Sequence, residues 1–404
     1  MVLSRRDAVV VFIAFAIAYF LSALLRAVTA TLAPVLTYEF SLHARDLGLL
    51  AGGYFLGFCV TQLPLGTWLD RHGPKRVLLG FLTVAVGGCV AFSMANRFET
   101  LLAARFLCGV GVSACLMAPL TAFRRWLEPA QQLRANSWML MIGSLGMVAA
   151  TLPVQWLLPL AGWRPLFLIL AMLIVVAMVL LAAKVPGWPA HEAAADAPAP
   201  SYREVWRHPY FRRMTPIGFF SYGGMVALQT LWAGPWMVRV SGYTPAEAAA
   251  GLFSINLAML VAYWAWGFVT PWLAARGWGP DRLITWGFPS SFIIMASLIM
   301  AGEAAGAGAW ALFCVASTFV AQSQPAVGMA FPAALAGRAL SAYNLVIFAG
   351  VFVVQWGLGL MIDAFAGLGW GPVASFQASL WVFLGVSVAA WAVFVAGRRD
   401  NASR

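Results

Sequence analysis

The chain has 404 residues, 62% of them hydrophobic and only 10% charged, with a formal net charge of +11. A soluble domain carries about 25% charged residues, so this chain has too little polar side chain to cover itself in water and most of its solvent must be lipid. Alternating strand patterns are absent, which argues against a transmembrane barrel.

A helix needs roughly 20 apolar residues to cross a bilayer. Twelve such runs are read in chain order, here numbered as spans 1 to 12: 8–36, 47–69, 76–95, 99–122, 136–159, 165–184, 213–237, 247–272, 283–301, 309–331, 339–363 and 374–397. Short connections between them predict antiparallel neighbours. Span 1 follows Arg5-Arg6 and is too long for a signal-peptide core, so it is expected to be retained. Its residues Tyr19, Ser22, Arg26, Thr29 and Ala33 recur at steps of three and four, which places them on one helix face.

Span 2 contains Tyr54 and Gln62 and ends in "GTWLDRHGPKR", a loop that crowds Asp70, Arg71, His72, Lys75 and Arg76 around Gly73-Pro74. Span 4 carries Arg105, and span 5 has Gly143 and Gly146 but no Gly-Pro pair. Residues 185–212 break the pattern: an Ala/Pro-rich stretch reads as a loose linker, and "SYREVWRHPYFRR" reads as a segment lying along the cytoplasmic membrane surface. The linker separates two bundles of six spans, 1–184 and 213–404.

The two halves echo one another. Trp68-Leu69 and Gly73-Pro74-Lys75-Arg76 match Trp272-Leu273 and Gly279-Pro280-Asp281-Arg282, with Ala274 where the first copy has Asp70. In span 7, Tyr222, Met225, Gln229, Trp232 and Trp236 repeat the spacing of the span 1 face. Twin bundles of this kind are a transporter architecture, with substrate expected near the midplane.

Charge sets the orientation. With the N-terminus inside, 19 of the 25 Lys and Arg residues fall on the cytoplasmic side, four fall outside, and Arg26 and Arg105 lie within spans. This positive-inside bias predicts both termini in the cytoplasm and accounts for the net charge without nucleic acid. The five cysteines all lie in spans, so no disulfide framework or metal spacing follows.

The loop after span 2 resembles the signature loop of the major facilitator superfamily, with Gly66, Asp70, Arg71, Gly73, Lys75 and Arg76 all matching. "ARFLCGVGVSA" is similar to its fourth-span motif and "GWRPLF" to its junction of spans 5 and 6. The resemblance implies an all-α membrane fold of twelve helices in two pseudo-symmetric six-helix bundles. It also implies that Asp70 faces the start of span 11, near Gly337 to Ser341, when the cytoplasmic side is closed. There a carboxylate at a helix N-terminus contributes about 0.3–1 kcal/mol, weak enough to break in each cycle. Gly66, Asp70, Arg71, Gly73, Lys75 and Arg76 are therefore read as gating residues, with Arg105 as a gating or structural group.

None of the fourteen acidic residues lies in the middle third of a span, and all four histidines are in loops. Intramembrane charges are functional candidates by default, and both are arginines. Arg26 suits a carboxylate or phosphate, which a guanidinium grips in bidentate fashion. With it we group Tyr19, Thr29, Tyr54, Gln62, Gln229, Trp232, Trp236, Asn256, Tyr263, Asn344 and Gln355 as a binding set, since an amide in lipid needs a partner. The expected function is secondary active or facilitative transport of a small organic solute, anionic or amphipathic, by rocking two bundles around Arg26. The alternative is a multidrug or siderophore/metabolite exporter of the same superfamily. No buried proton carrier is visible, which leaves facilitated transport, exchange, or a proton riding on the substrate, Glu39 or Asp363. No catalytic constellation, nucleotide loop or metal spacing is found, so neither an enzyme nor a cofactor is expected. The expected partners are a small molecule and the lipid bilayer, with a monomer in the cytoplasmic (bacterial inner) membrane.

Overall fold

The computed structural model describes residues 3–187 and 202–402, and every regular element among them is helical. Nine of the helices are long and apolar enough to cross a membrane. A tenth span is a bent pair, residues 134–149 and Leu152–Ala161, at 43° across a two-residue break. The two remaining predicted spans are helical but interrupted. Span 7 alternates α-turns with π-turns at Ile217–Tyr222 and Leu228–Trp232, and span 10 passes through a 3-10 segment at Thr318–Gln322. The all-α membrane fold read from the sequence is the fold observed.

Local chemistry explains the boundaries. Spans 2 and 3 run together as Ala44–Ser93 and are parted at Gly73, whose φ of 77° and ψ of 159° no side chain adopts without strain. Span 8, Pro245–Ala275, opens on a reciprocal cap: Thr244 Oγ1 accepts from the Glu247 amide, and the Glu247 carboxylate accepts from the Thr244 amide at 2.8 Å. Large apolar side chains stand exposed along the spans, including Trp156, Leu160, Met172, Ile293 and Met300. In water this surface would be a large liability, and against acyl chains it is the proper exterior.

Packing divides the chain into two compact units. One holds the residues up to Val28 and those from Gly53 through span 6; the other holds Thr29–Gly52 and the described residues from Tyr202 onward. In the first, Phe92 stacks on Phe167 with ring centroids 4.0 Å apart, and Phe15 meets Phe123 edge-on. In the second, Phe211, Ile217, Ile284, Phe288, Tyr343 and Phe394 form a buried cluster around the start of span 7. Beside it, Arg213 donates Nε to the Phe394 carbonyl at 2.8 Å and Nη1 to Asp281 at 2.9 Å, while Tyr210 donates its hydroxyl to the same carboxylate at 2.7 Å. Burial and the adjacent Asp281 charge push the Tyr210 hydroxyl well above the ordinary phenol range, so it remains a donor. Of the linker 185–212, the part at 188–201 lies outside the described residues. Its second part forms short helices at Tyr202–Arg207 and Pro209–Pro216.

Candidate functional site

In the first unit the polar residues converge on Arg26. Its guanidinium lies within hydrogen-bonding reach of the Tyr19 and Tyr54 hydroxyls and 6.0 Å from the centre of the Phe58 ring. Tyr19 is seated by Gly143: a Cβ there would lie 2.5 Å from the ring and 2.9 Å from the hydroxyl. Tyr54 is wholly buried and donates to the Ser22 carbonyl at 3.2 Å. Cys115 lies beside Ser22, the neighbour of Arg26 on this face. Arg26 is partly buried as a residue, less so than Arg105.

Arg105 has the opposite setting. It is 1% exposed, donates Nη1 to the Leu25 carbonyl at 2.8 Å and Nη2 to the Arg26 carbonyl at 3.3 Å, and lies 4.7 Å over the Tyr54 ring. It therefore braces the backbone that carries Arg26 and the ring that faces it. Gln62, also buried, donates to the Phe58 carbonyl at 3.3 Å. Of the loop residues, Lys75 donates to the Val185 carbonyl at 2.8 Å, whereas Arg71 and Arg76 are exposed. A Cβ at Gly66 would meet open space. The Asp70 side chain lies outside the described residues.

The second unit supplies a neutral set. Gln229 donates to Asn256 at 3.0 Å, and Asn256 donates to the Leu252 carbonyl at 2.9 Å. Gln355 donates to Thr230 at 3.0 Å and its backbone carbonyl accepts from Trp232 at 3.1 Å. The Gln229 and Thr230 side chains leave span 7 from within its second π-turn, a distortion frequent at functional positions. Asn344 accepts from Gln324 at 2.6 Å, and Tyr263, 37% exposed, pairs with Tyr222. Trp236 is fully buried, donates to the Ala305 carbonyl at 3.0 Å and meets Trp310 and Phe376 edge-on. With Trp232 it lines a small apolar void. Thr29 is buried in this unit.

Sequence reasoning placed Ser22 on the Arg26 face but missed Phe58 and Cys115, together with Thr230 and Gln324. For Gln324 there was a signal: it follows Gln322 and Ser323 inside an apolar span, where three consecutive polar residues need partners. No group of His, Cys, Asp and Glu able to hold a metal occurs among the described residues.

The sequence model described as "Major Facilitator Superfamily" matches residues 15–355. The chain is 27% identical over 167 residues to the 4-hydroxybenzoate transporter PcaK of Acinetobacter baylyi, covering 41% of this chain and 36% of that protein. It is 27% identical over 153 residues to the probable sulfoacetate transporter SauU of Cupriavidus necator, covering 38% and 35%. The chain thus spans little more than a third of the length of these curated relatives. Among solved structures, a bacterial homologue of the human lysosomal transporter Spinster, inward-facing and unoccupied, superposes with a TM-score of 0.80 at 18% identity and covers 98% of both chains.

Proposed function

The chain belongs to the Major Facilitator Superfamily, and from that premise we propose that this integral membrane transporter moves small organic anions, with Arg26 as the anion anchor. The observation that carries the reading is the contrast between the two intramembrane arginines. Arg105 is fully buried and donates to two backbone carbonyls; Arg26 is the less buried residue of the two and lies among phenols. The spans carry no mid-membrane carboxylate, and an intramembrane cation favours an anionic over a cationic solute. A carboxylate or sulfonate would accept from the guanidinium in place of the phenol hydroxyls, and the Phe58, Tyr19 and Tyr54 rings suit an apolar or aromatic body. Relatives named for 4-hydroxybenzoate and sulfoacetate, both small organic anions, favour the same class. Transport proceeds by rocking of one bundle against the other, Asp70 and its loop gate the cytoplasmic side, and both termini lie in the cytoplasm.

The test is a thermal-shift screen of purified protein against aromatic monoacids, dicarboxylates, sulfonates and cationic drugs, on wild type and Arg26→Gln. Selective stabilisation by monoanions is expected, with affinity falling about tenfold or more in Arg26→Gln, the worth of a charge-assisted hydrogen bond. Uptake of the same monoanion into vesicles is expected to fall in parallel. Stabilisation by cationic compounds that survives Arg26→Gln would instead make the protein an exporter of drugs or metabolites and Arg26 a structural residue.

A further inference from the structure

Asp363 stands at the wrong end of its own helix. Span 11 runs over Ala333–Gly367, and the last turns of a helix carry the negative pole of its dipole, which disfavours a carboxylate. Its partners explain the placement. Oδ1 accepts from the Ala44 amide at 3.1 Å and Oδ2 from the Arg45 amide at 2.9 Å. These are among the first amides of the helix of span 2, donors that no turn of that helix can satisfy. The nearby side chains of His43 and Arg45 pair with Asp46 instead, at 3.4 and 3.5 Å, so Asp363 answers the helix terminus.

Below the carboxylate the two helices touch along a seam of glycines. A Cβ at Gly359 would overlap the Ala44 carbonyl, one at Gly48 the Gln355 carbonyl, and one at Gly52 the Phe352 ring. The three contacts step along each helix by three or four residues in opposite directions, one antiparallel face against another. At Gly48 and Gly359 backbone lies against backbone, and at Gly52 the Phe352 ring fills the place of the missing side chain. The seam also accounts for the grouping of Thr29–Gly52 with the residues after 200.

We propose that Asp363 is a gating residue of transport: its carboxylate latches the outer end of span 11 onto the first turn of span 2, and the latch must release before the outer side opens. The reading is independent of what Arg26 binds. Nitroxides introduced at Tyr38→Cys and Leu368→Cys, exposed positions at 90% and 72%, report the separation of the outer helix ends by pulsed electron resonance in nanodiscs. The five native cysteines are buried, which confines labelling to the introduced sites. Asp363→Asn is expected to move the ratio of long to short separations about two- to fivefold toward the long, the weight of one carboxylate at a helix N-terminus. Gly48→Ala keeps the carboxylate but wedges the seam, and is expected to shift the ratio the same way. An unchanged distribution in folded Asp363→Asn overturns the proposal. If that variant does not fold, Gly48→Ala decides, and an unchanged distribution there overturns it equally.

Discussion

Arg105 and Arg26 are linked through the backbone: the Arg105 fork ends on the carbonyls of Leu25 and Arg26, and its plane lies over the Tyr54 ring that faces Arg26. Lysine offers a compact ammonium in place of a planar fork and cannot reproduce both bonds with the stacking. Arg105→Lys is therefore expected to lower stability by about 1–3 kcal/mol, read as a fall in Tm. It is also expected to weaken anion binding without altering the order of preference among anions. An unmoved Tm and affinity would show that Arg105 does not brace the site. The Tyr19–Ser22–Arg26 face was legible because all its members lie on one helix, where spacing alone determines the face. Phe58 and Cys115 were not, because they approach this face from other segments of the chain, Phe58 from span 2 and Cys115 from the turn within span 4. Trp232 and Trp236 show the converse: their spacing echoes the span 1 face, yet both indoles donate to backbone carbonyls within the second unit.

Between elements, close approach rather than side-chain size controls the packing of spans 2 and 4. A Cβ at Gly57 would overlap the Phe106 carbonyl and one at Gly109 the Tyr54 carbonyl. Gly109→Ala is expected to cost about 1–3 kcal/mol by overpacking and to displace Tyr54 from Arg26, seen as lower Tm and weaker anion binding together. Gly87→Ala is the matched control, since a Cβ there meets nothing within 4 Å; it is expected to be neutral or to stabilise by up to about 1 kcal/mol through helix propensity. Equal effects at the two positions would rule out the seam as the cause. The sequence placed these glycines in spans, but glycine at a seam and glycine facing lipid look alike along the chain. The interruptions of spans 7 and 10 were equally illegible, because their apolar runs continue through the π and 3-10 turns.

At the scale of the molecule, the echo between the halves acquires a physical meaning. Lys75 ties its loop to the carbonyl of Val185, just past span 6. At the matching position Asp281 holds Arg213, which in turn donates to the carbonyl of Phe394 in span 12. Opposite charges thus perform corresponding ties in the two copies. Arg213 is 7% exposed and Asp281 28% at the side chain, so removing the acid strands a nearly buried cation. Asp281→Ala is expected to destabilise the protein by about 2 kcal/mol or more, less than for a fully buried pair because the acid is partly solvated. Asp281→Asn keeps an acceptor for Tyr210 and is expected to cost less. Thermal unfolding of the two variants checks the order, and a larger loss in Asp281→Asn would contradict it.

Composition and the lengths of the apolar runs determined by themselves that this is an all-helical membrane protein, because the bilayer imposes one length and one polarity on every spanning segment. The period of the helix likewise determined which residues share a face with Arg26. Only the tertiary structure decided which polar groups are already satisfied by neighbours and which stay accessible. It alone grouped Thr29–Gly52 with the residues after 200 and placed Asp363 on amides more than 300 positions away in the chain. The reason is that helical periodicity is a local property, whereas the partner of a buried donor is set by where separate helices meet.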